Sequence, residues 1–288
     1  MAQMHLNEGI VLDGRYRLDR QLGMGGFGIT YKATDLRLDR PVAVKEYFPN
    51  YCAARLPEWE GEVRPLDGMG RHFVKGMDRF SDEARRLAQL SHLPSVVHVN
   101  DYFEANGTAY MVMDFVEGQT LKQMVDKFGG RIRPEMLMSL IGPAVSTLWH
   151  VHKKGLIHRD LSPDNIMIRS DNSVCLIDFG NARSTDGDKS MTVAMKQGFA
   201  APEQYSTRGQ GTYTDVYGLC ATLYYCLTGR LPTRAVDRLA GKPLPWPREM
   251  GVVMDRVQEQ AIMDGLELQT NLRIRNMEAL YRRLFGQK

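Results

Sequence analysis

The spacing of apolar residues changes character once along this chain, near Val116–Gly118, and that change limits the fold more than any other feature. From Tyr16 to about Val116 the pattern is mainly strand-like. Tyr16–Leu22 alternates, Phe27, Ile29, Tyr31 and Ala33 recur at every second position, and Pro41–Phe48 supplies a third short strand. Period two puts such side chains on one face of a strand. Asn106-Gly107 separates Val96–Glu104 from Ala109–Phe115, and that dipeptide suits a tight hairpin whose central residues take positive φ. One helix interrupts the strands, Arg79–Leu90, with Phe80, Ala84, Leu87 and Ala88 on one face and Glu83 adjoining it.

After Gly118 the chain turns predominantly helical. Pro134 suits the first turn of a helix running towards Lys154, with Gly155 as its stop, and Pro143 inside it predicts a kink. Thr214 is placed to cap the next helix and Gly229 to end it, and two further helices fit Arg248–Asp264 and Asn276–Phe285. Strands followed by helices argue for an α+β chain in two lobes.

Composition adds exclusions. The chain has 288 residues, 43% hydrophobic and 25% charged, which is globular and not disordered. Lys and Arg number 37 against 34 Asp and Glu, a net +3. That bias is too small to argue for nucleic acid or an anionic membrane. The cysteines at 52, 175, 220 and 226 form no CxxC pair, which speaks against a zinc site and a disulfide framework and favours a reduced, cytoplasmic setting. The first residues lack the apolar core of a signal peptide. The uncharged stretches Met136–His152 and Val216–Gly229 are too short or too interrupted to span a bilayer and read as buried helices. Asn50–Lys75 shows little periodicity and reads as an inserted surface loop, with Trp59 a candidate for binding a partner.

Local motifs carry the chemistry. Gly23, Gly25 and Gly28 form GMGGFG between two strand patterns. A dinucleotide-binding fingerprint of the same spelling opens a helix instead. A glycine hairpin can bring backbone N–H groups close over phosphates, because no Cβ holds them away. Lys45, in VAVK, lies on a strand that should run beside this hairpin, and Glu83 on the following helix is the carboxylate to hold its ammonium. Far downstream come HRDLSPDN at His158–Asn165, DFG at Asp178–Gly180 and APE at Ala201–Glu203. With these motifs in this order, the sequence resembles the protein kinase family, specifically its Ser/Thr-type members, over nearly the whole chain. VAVKEYFPN, YFEANGTAYMVMDFVEG and APEQY look like bacterial members of the eukaryotic-like group.

The resemblance implies a two-lobed kinase fold over residues 16–288, after an N-terminal extension of residues 1–15. The first lobe would run to about 116, with loop 50–75 inserted, and the second from about 117 to 286. It also implies roles. Leu22, Gly23, Gly25, Gly26, Phe27 and Gly28 would cover the phosphates of ATP, and Lys45 with Glu83 would grip them. Asp160 would be the catalytic base, and Asn165 and Asp178 would hold Mg2+, with Mn2+ as the alternative ion. Met113 would be the gatekeeper, Asp114–Val116 the hinge that reads adenine, and Thr30, Ala43 and Met167 the residues that sandwich the ring. Val99, Leu87, His158 and Phe179 would align as an internal spine anchored by Asp215. Glu203 and Arg273 would brace the segment that docks the protein substrate.

Two positions depart from the pattern. Ser/Thr kinases usually carry Lys two residues after the catalytic Asp, and here that residue is Ser162; tyrosine kinases place Arg within the same loop, and here the fourth residue after Asp160 is Asp164. One unit charge at about 4 Å is worth roughly 4 kcal/mol at an effective dielectric near 20, before solvation losses. Counting back from Ala201-Pro202-Glu203, Lys196 takes the place of the usual Thr, which in the family lies against the missing Lys. Lys196 is therefore the candidate to return the absent cation to the catalytic loop. Arg159 would pair with a phosphate on the activation segment, and Ser184, Thr185, Ser190 and Thr192 are the hydroxyls open to autophosphorylation, Thr192 foremost.

The leading expectation is an ATP- and Mg2+-dependent protein Ser/Thr kinase acting on protein hydroxyls, with an activator or docking partner for recruitment. Its rivals are a pseudokinase scaffold, favoured by Ser162, and a small-molecule phosphotransferase, disfavoured by APE, Asp215 and Arg273.

Overall fold

The computed structural model describes residues 4–56, 61–179, 183–184, 196–206 and 209–286. Contacts divide the chain into two compact units, Met1–Val116 and Glu117–Lys288.

In the first unit the period-two segments pair into one antiparallel sheet. Its strands are β1 (Val11–Leu12), β2 (Tyr16–Met24), β3 (Gly28–Asp35), β4 (Arg40–Tyr47), β7 (Val99–Ala105) and β8 (Thr108–Asp114), in the order β1-β2-β3-β4-β8-β7. Along β3 burial alternates, with Ile29, Tyr31, Ala33 and Asp35 inward. The turn between β7 and β8 holds Asn106 at φ +51° and Gly107 at φ +70°, the pair of positive angles that the hairpin needs. Helix α1 (Gly70–Ala88) packs on β7 and β8 through Phe73, Phe80, Ala84 and Leu87, and Tyr47 meets Phe73 and Phe80 at ring distances of 5.2 and 5.8 Å.

This helix begins nine residues before the expected Arg79. Gly70 and Gly76 weaken the helical signal of that turn. Gly76 stands where the Tyr47 hydroxyl fills the space of a Cβ, so packing rather than propensity decides the start.

Asn50–Lys75 is likewise not a plain loop. It contains a hairpin of β5 (Ala53–Arg55) and β6 (Val63–Pro65) before α1 opens. Arg55 pins that hairpin from inside: its guanidinium donates to buried Glu46 and to the Gly61 carbonyl at 2.8 Å. Glu46 also accepts from Tyr31 at 3.0 Å and Tyr110 at 2.8 Å. The stretch before Tyr16 is part of the same unit, since Leu6 is buried, its N–H donates to the Tyr31 hydroxyl at 3.0 Å, and β1 pairs with β2. Trp59 lies outside the described residues.

The second unit is built on helices, joined by short strands that the sequence did not announce. β9 (Gly118–Thr120) pairs with β11 (Ile166–Arg169), which pairs with β12 (Val174–Leu176), while β10 (Leu156–Ile157) pairs with β13 (Arg183–Ser184). Helix α2 (Leu121–Lys127) has a complete capping box: Thr120 Oγ1 accepts from Gln123 N at 3.1 Å and Gln123 Oε1 accepts from Thr120 N at 2.9 Å. Helix α3 (Pro134–Lys153) runs on through Pro143, and Gly155 follows it at φ +72°. Helix α4 (Thr212–Thr228) is buried almost throughout, as expected of a helix apolar on all sides, and Gly229 ends it at φ +71°. It starts two residues before Thr214, whose hydroxyl instead reaches back to accept from Gly211 N at 3.0 Å.

The segment expected as one helix over Arg248–Asp264 is broken. A short 3-10 turn at Pro247–Met250 stops at Gly251, φ +80°, and α6 (Arg256–Gly265) restarts after Asp255, which accepts from Val257 N and Gln258 N at 2.9 and 3.0 Å. Helix α5 (Ala235–Leu239) precedes it, and α7 (Met277–Phe285) follows with Asn276 as its cap. Among the described residues no helix is long and apolar enough to cross a membrane.

Candidate active site

In the first unit, strand register sets the phosphate-handling residues side by side. Thr30 pairs with both Gly23 and Lys45, and Ala43 pairs with Met113. The Lys45 ammonium lies 3.1 Å from Glu83 Oε1, with the two side chains only 13% and 6% exposed. A surface Lys–Glu pair is mostly solvated and weak, whereas this one is held out of water and so fixes the lysine. The Phe80 ring stands 6.0 Å from the same ammonium. Gly28 is the glycine the fold itself requires, because a Cβ there would strike the Glu46 carbonyl oxygen; Gly23 and Gly25 have nothing within 4 Å of that position. Leu22 and Phe27 are exposed, and Gly26 lies between β2 and β3. Met113 is buried near the end of β8, whose last residue is Asp114, and the unit ends at Val116.

In the second unit, one buried carboxylate organises the loop that carries Asp160. Asp215, near the start of α4, accepts from the backbone N–H groups of His158 and Arg159, each at 2.7 Å, and from His152 Nε2 at 2.7 Å. Burial alone would raise the Asp215 pKa, but the His152 hydrogen bond and its other donors outweigh it and hold the carboxylate below its ordinary range. These donors stabilise a backbone that otherwise costs energy. Arg159 sits at φ +68°, a region that non-glycine residues enter at about 1–3 kcal/mol. The His158 ring lies 4.3 Å from Phe179, both buried. Asn165 donates from Nδ2 to the Asp160 carbonyl at 2.8 Å, and its Oδ1 is the acceptor end of the amide. An amide oxygen and a carboxylate are the hard donors that Mg2+ prefers, so Asn165 and Asp178 fit the ion. Met167 lies on β11, where it pairs with Thr120.

Lys196 enters this loop from the segment after DFG. Its ammonium donates to Ser162 Oγ at 2.8 Å, stands 3.5 Å from Asn165 Oδ1, and is 3.5 Å from Asp164 Oδ2. Beyond it, Arg273 grips Glu203 through Nη1 and Nη2 at 2.7 and 3.1 Å, and Thr214 Oγ1 donates to Glu203 at 2.9 Å. Gln204 ties the two stretches together by donating to the Arg159 carbonyl at 2.8 Å and accepting from Ala201 N at 2.9 Å. The sequence singled out neither Gln204 nor His152 as a partner. His152 stands six residues before His158, a spacing that could have flagged it. Gly180 and the hydroxyl side chains at 184, 185, 190 and 192 lie outside the described residues.

A buried lysine–carboxylate pair beside a glycine hairpin in one unit, and an Asp-anchored loop carrying Asp160 and Asn165 in the other, belong to the two-lobed kinase fold. The protein kinase domain matches residues 16–242, and the chain belongs to that family. It is similar to Serine/threonine-protein kinase PknA of Mycobacterium tuberculosis, 33% identical over 84% of this chain and 55% of that protein. It is also similar to Serine/threonine-protein kinase D of Synechocystis, 30% identical over 95% of this chain and 52% of that protein. The chain thus spans about half the length of the curated relatives it matches. Among solved structures, one described as "PpkA-294 apo form" is 30% identical with a TM-score of 0.84, covering 98% of this chain and 100% of its own. These relatives place the chain with the bacterial Ser/Thr kinases of eukaryotic-like type.

Proposed function

We propose that the chain is an ATP- and Mg2+-dependent protein Ser/Thr kinase that transfers the γ-phosphoryl group of ATP to protein hydroxyls. The observation that carries this reading is the Lys45–Glu83 pair at 3.1 Å, nearly buried on both sides. A scaffold that binds no nucleotide has no use for an ammonium held out of water beside a glycine hairpin. Lys45 grips the nucleotide phosphates while the N–H groups around Gly23, Gly25 and Gly28 cover them. The adenine lies against Thr30, Ala43 and Met167, read by the Asp114–Val116 backbone below Met113. Asp160 accepts the proton of the substrate hydroxyl. Asn165 and Asp178 hold Mg2+, which neutralises charge on the phosphate oxygens. Glu203, locked by Arg273 and Thr214, braces the segment against which a protein substrate docks.

A cytoplasmic setting belongs to the same reading, supported by cysteines that are all buried with none in a disulfide. So do autophosphorylation in the segment before Lys196 and recruitment by an activator or docking partner. The test is incubation of the 288-residue chain with labelled ATP, Mg2+ and a generic protein substrate, beside Asp160→Asn. Wild type labels itself or the substrate, and Asp160→Asn loses about a hundredfold or more of that rate while still binding nucleotide. Nucleotide binding by wild type with no transfer above the variant overturns the reading in favour of the scaffold.

A further inference from the structure

The loop Asp160–Asn165 contains no Lys or Arg of its own. Phosphoryl transfer spreads negative charge over the equatorial oxygens of the moving group, and catalysis depends on fixed positive charge there. An ammonium nonetheless stands in this loop, that of Lys196, at 2.8 Å from Ser162 Oγ and 3.5 Å from both Asn165 Oδ1 and Asp164 Oδ2. Ser162 is fully buried and small, so it leaves room for the incoming side chain and offers it one acceptor. Lys196 lines the same cavity as Arg159 and Asp160. Its backbone is fixed too: the Lys196 carbonyl accepts from Phe199 N and Ala200 N at 3.1 and 3.3 Å, and the Phe199 ring meets Tyr225 edge-on at 6.0 Å.

We propose that Lys196 is a catalytic residue, the cation that stabilises the transferring phosphoryl group, supplied by the activation segment instead of the catalytic loop. The inference rests on the kinase reading above and deepens it. In the step it serves, the substrate oxygen forms a bond to the γ-phosphorus as the bond to the bridging oxygen breaks. The proton passes to Asp160 and the electron pair leaves with ADP. Lys196 acts on charge that peaks midway, so its contribution falls on turnover rather than on nucleotide binding. Position has a regulatory consequence. Because the ammonium belongs to residue 196 and not to the loop of Asp160, any rearrangement of the segment ahead of Phe199 carries the charge away with it.

The experiment compares wild type, Lys196→Ala, Lys196→Thr and the double variant Ser162→Lys/Lys196→Thr, with Asp160→Asn as the inactive control. Turnover is measured at saturating ATP, the Mg2+ dependence is recorded, and binding of ADP and of a non-hydrolysable ATP analogue is followed by calorimetry. Lys196→Ala is expected to lose at least about tenfold in turnover, with both nucleotide affinities within about twofold of wild type. The double variant regains turnover over Lys196→Thr, since it returns the cation from the loop itself. Unchanged turnover in Lys196→Ala overturns the proposal, as does a double variant no faster than Lys196→Thr. A lower Mg2+ requirement in Lys196→Ala at unchanged turnover also overturns it, by showing the ammonium to be a stand-in for the metal at Asn165. Failure of wild type to exceed Asp160→Asn instead removes the kinase reading beneath it.

Discussion

Asp215 shows how one side chain can set the geometry of a site it does not enter. Its oxygens take two backbone N–H groups and one imidazole, all at 2.7 Å, and those bonds hold Arg159 in a left-handed conformation directly before Asp160. His152 contributes one of the three donors, and its side chain is almost fully buried. Replacing it by Phe keeps an aromatic ring of similar size but leaves one side of the carboxylate unpaired. Loss of a buried hydrogen bond to a charged group costs about 1–3 kcal/mol. His152→Phe should therefore lower the melting temperature by several degrees and reduce turnover more than it raises the KM for ATP, as thermal melts and steady-state rates would show. The pairing of Lys45 with Glu83 was legible in the sequence because the order and neighbours of the two residues are distinctive. His152 was not, because its partner lies in α4 and only the fold brings the two together.

At the scale of elements, the glycine hairpin between β2 and β3 divides into positions that build the sheet and positions that serve the ligand. Gly28 faces the Glu46 carbonyl so closely that a methyl group would force β3 away from β4, while Gly23 and Gly25 border open space. Gly28→Ala should then lower thermal stability and ATP affinity together. Gly25→Ala should leave the melting temperature unchanged and raise only the KM for ATP, because its added methyl meets phosphate and not protein. Equal melting losses in both variants would contradict this division. The strands here were readable because period two leaves a direct trace in the residue order. The hairpin of β5 and β6 left none. Its anchor is a charged residue, Arg55, buried against Glu46, and an arginine in a polar stretch reads as surface until its distant partner is seen. The break before α6 was hidden for a different reason: Gly251 and Asp255 are ordinary stop and start signals, but the surrounding polar run fits one long helix nearly as well.

For the whole molecule, three buried ionisable groups, His158, Asp35 and Asp215, weaken the fold as pH falls. Burial holds His158 neutral, below its ordinary 6.5, against the opposing pull of Asp215. In the unfolded chain the same imidazole takes up a proton as pH falls through 6.5, so stability drops there by up to about 1.4 kcal/mol per pH unit. Asp35, held at about 2 by hydrogen bonds from Arg15 at 2.9 and 2.7 Å, contributes stability above 3.8 that is lost as pH falls towards 2. The lowered Asp215 acts in the same sense. Melting temperature should begin to fall below pH 6.5 and steepen below 3.8, and His158→Phe should flatten the first part of that profile. Outcomes of this kind report on a chain that spans about half the length of its curated relatives, and so on the catalytic part that they share.

The four cysteines carry a consequence of another kind. All are buried with none in a disulfide, and burial pushes the thiols of Cys52, Cys220 and Cys226 up, away from the reactive thiolate. The folded protein is therefore silent towards thiol-directed labels without any cysteine being removed. A single cysteine introduced on the surface would be the one site to take a fluorophore or spin label, which makes the native chain its own blank for spectroscopy.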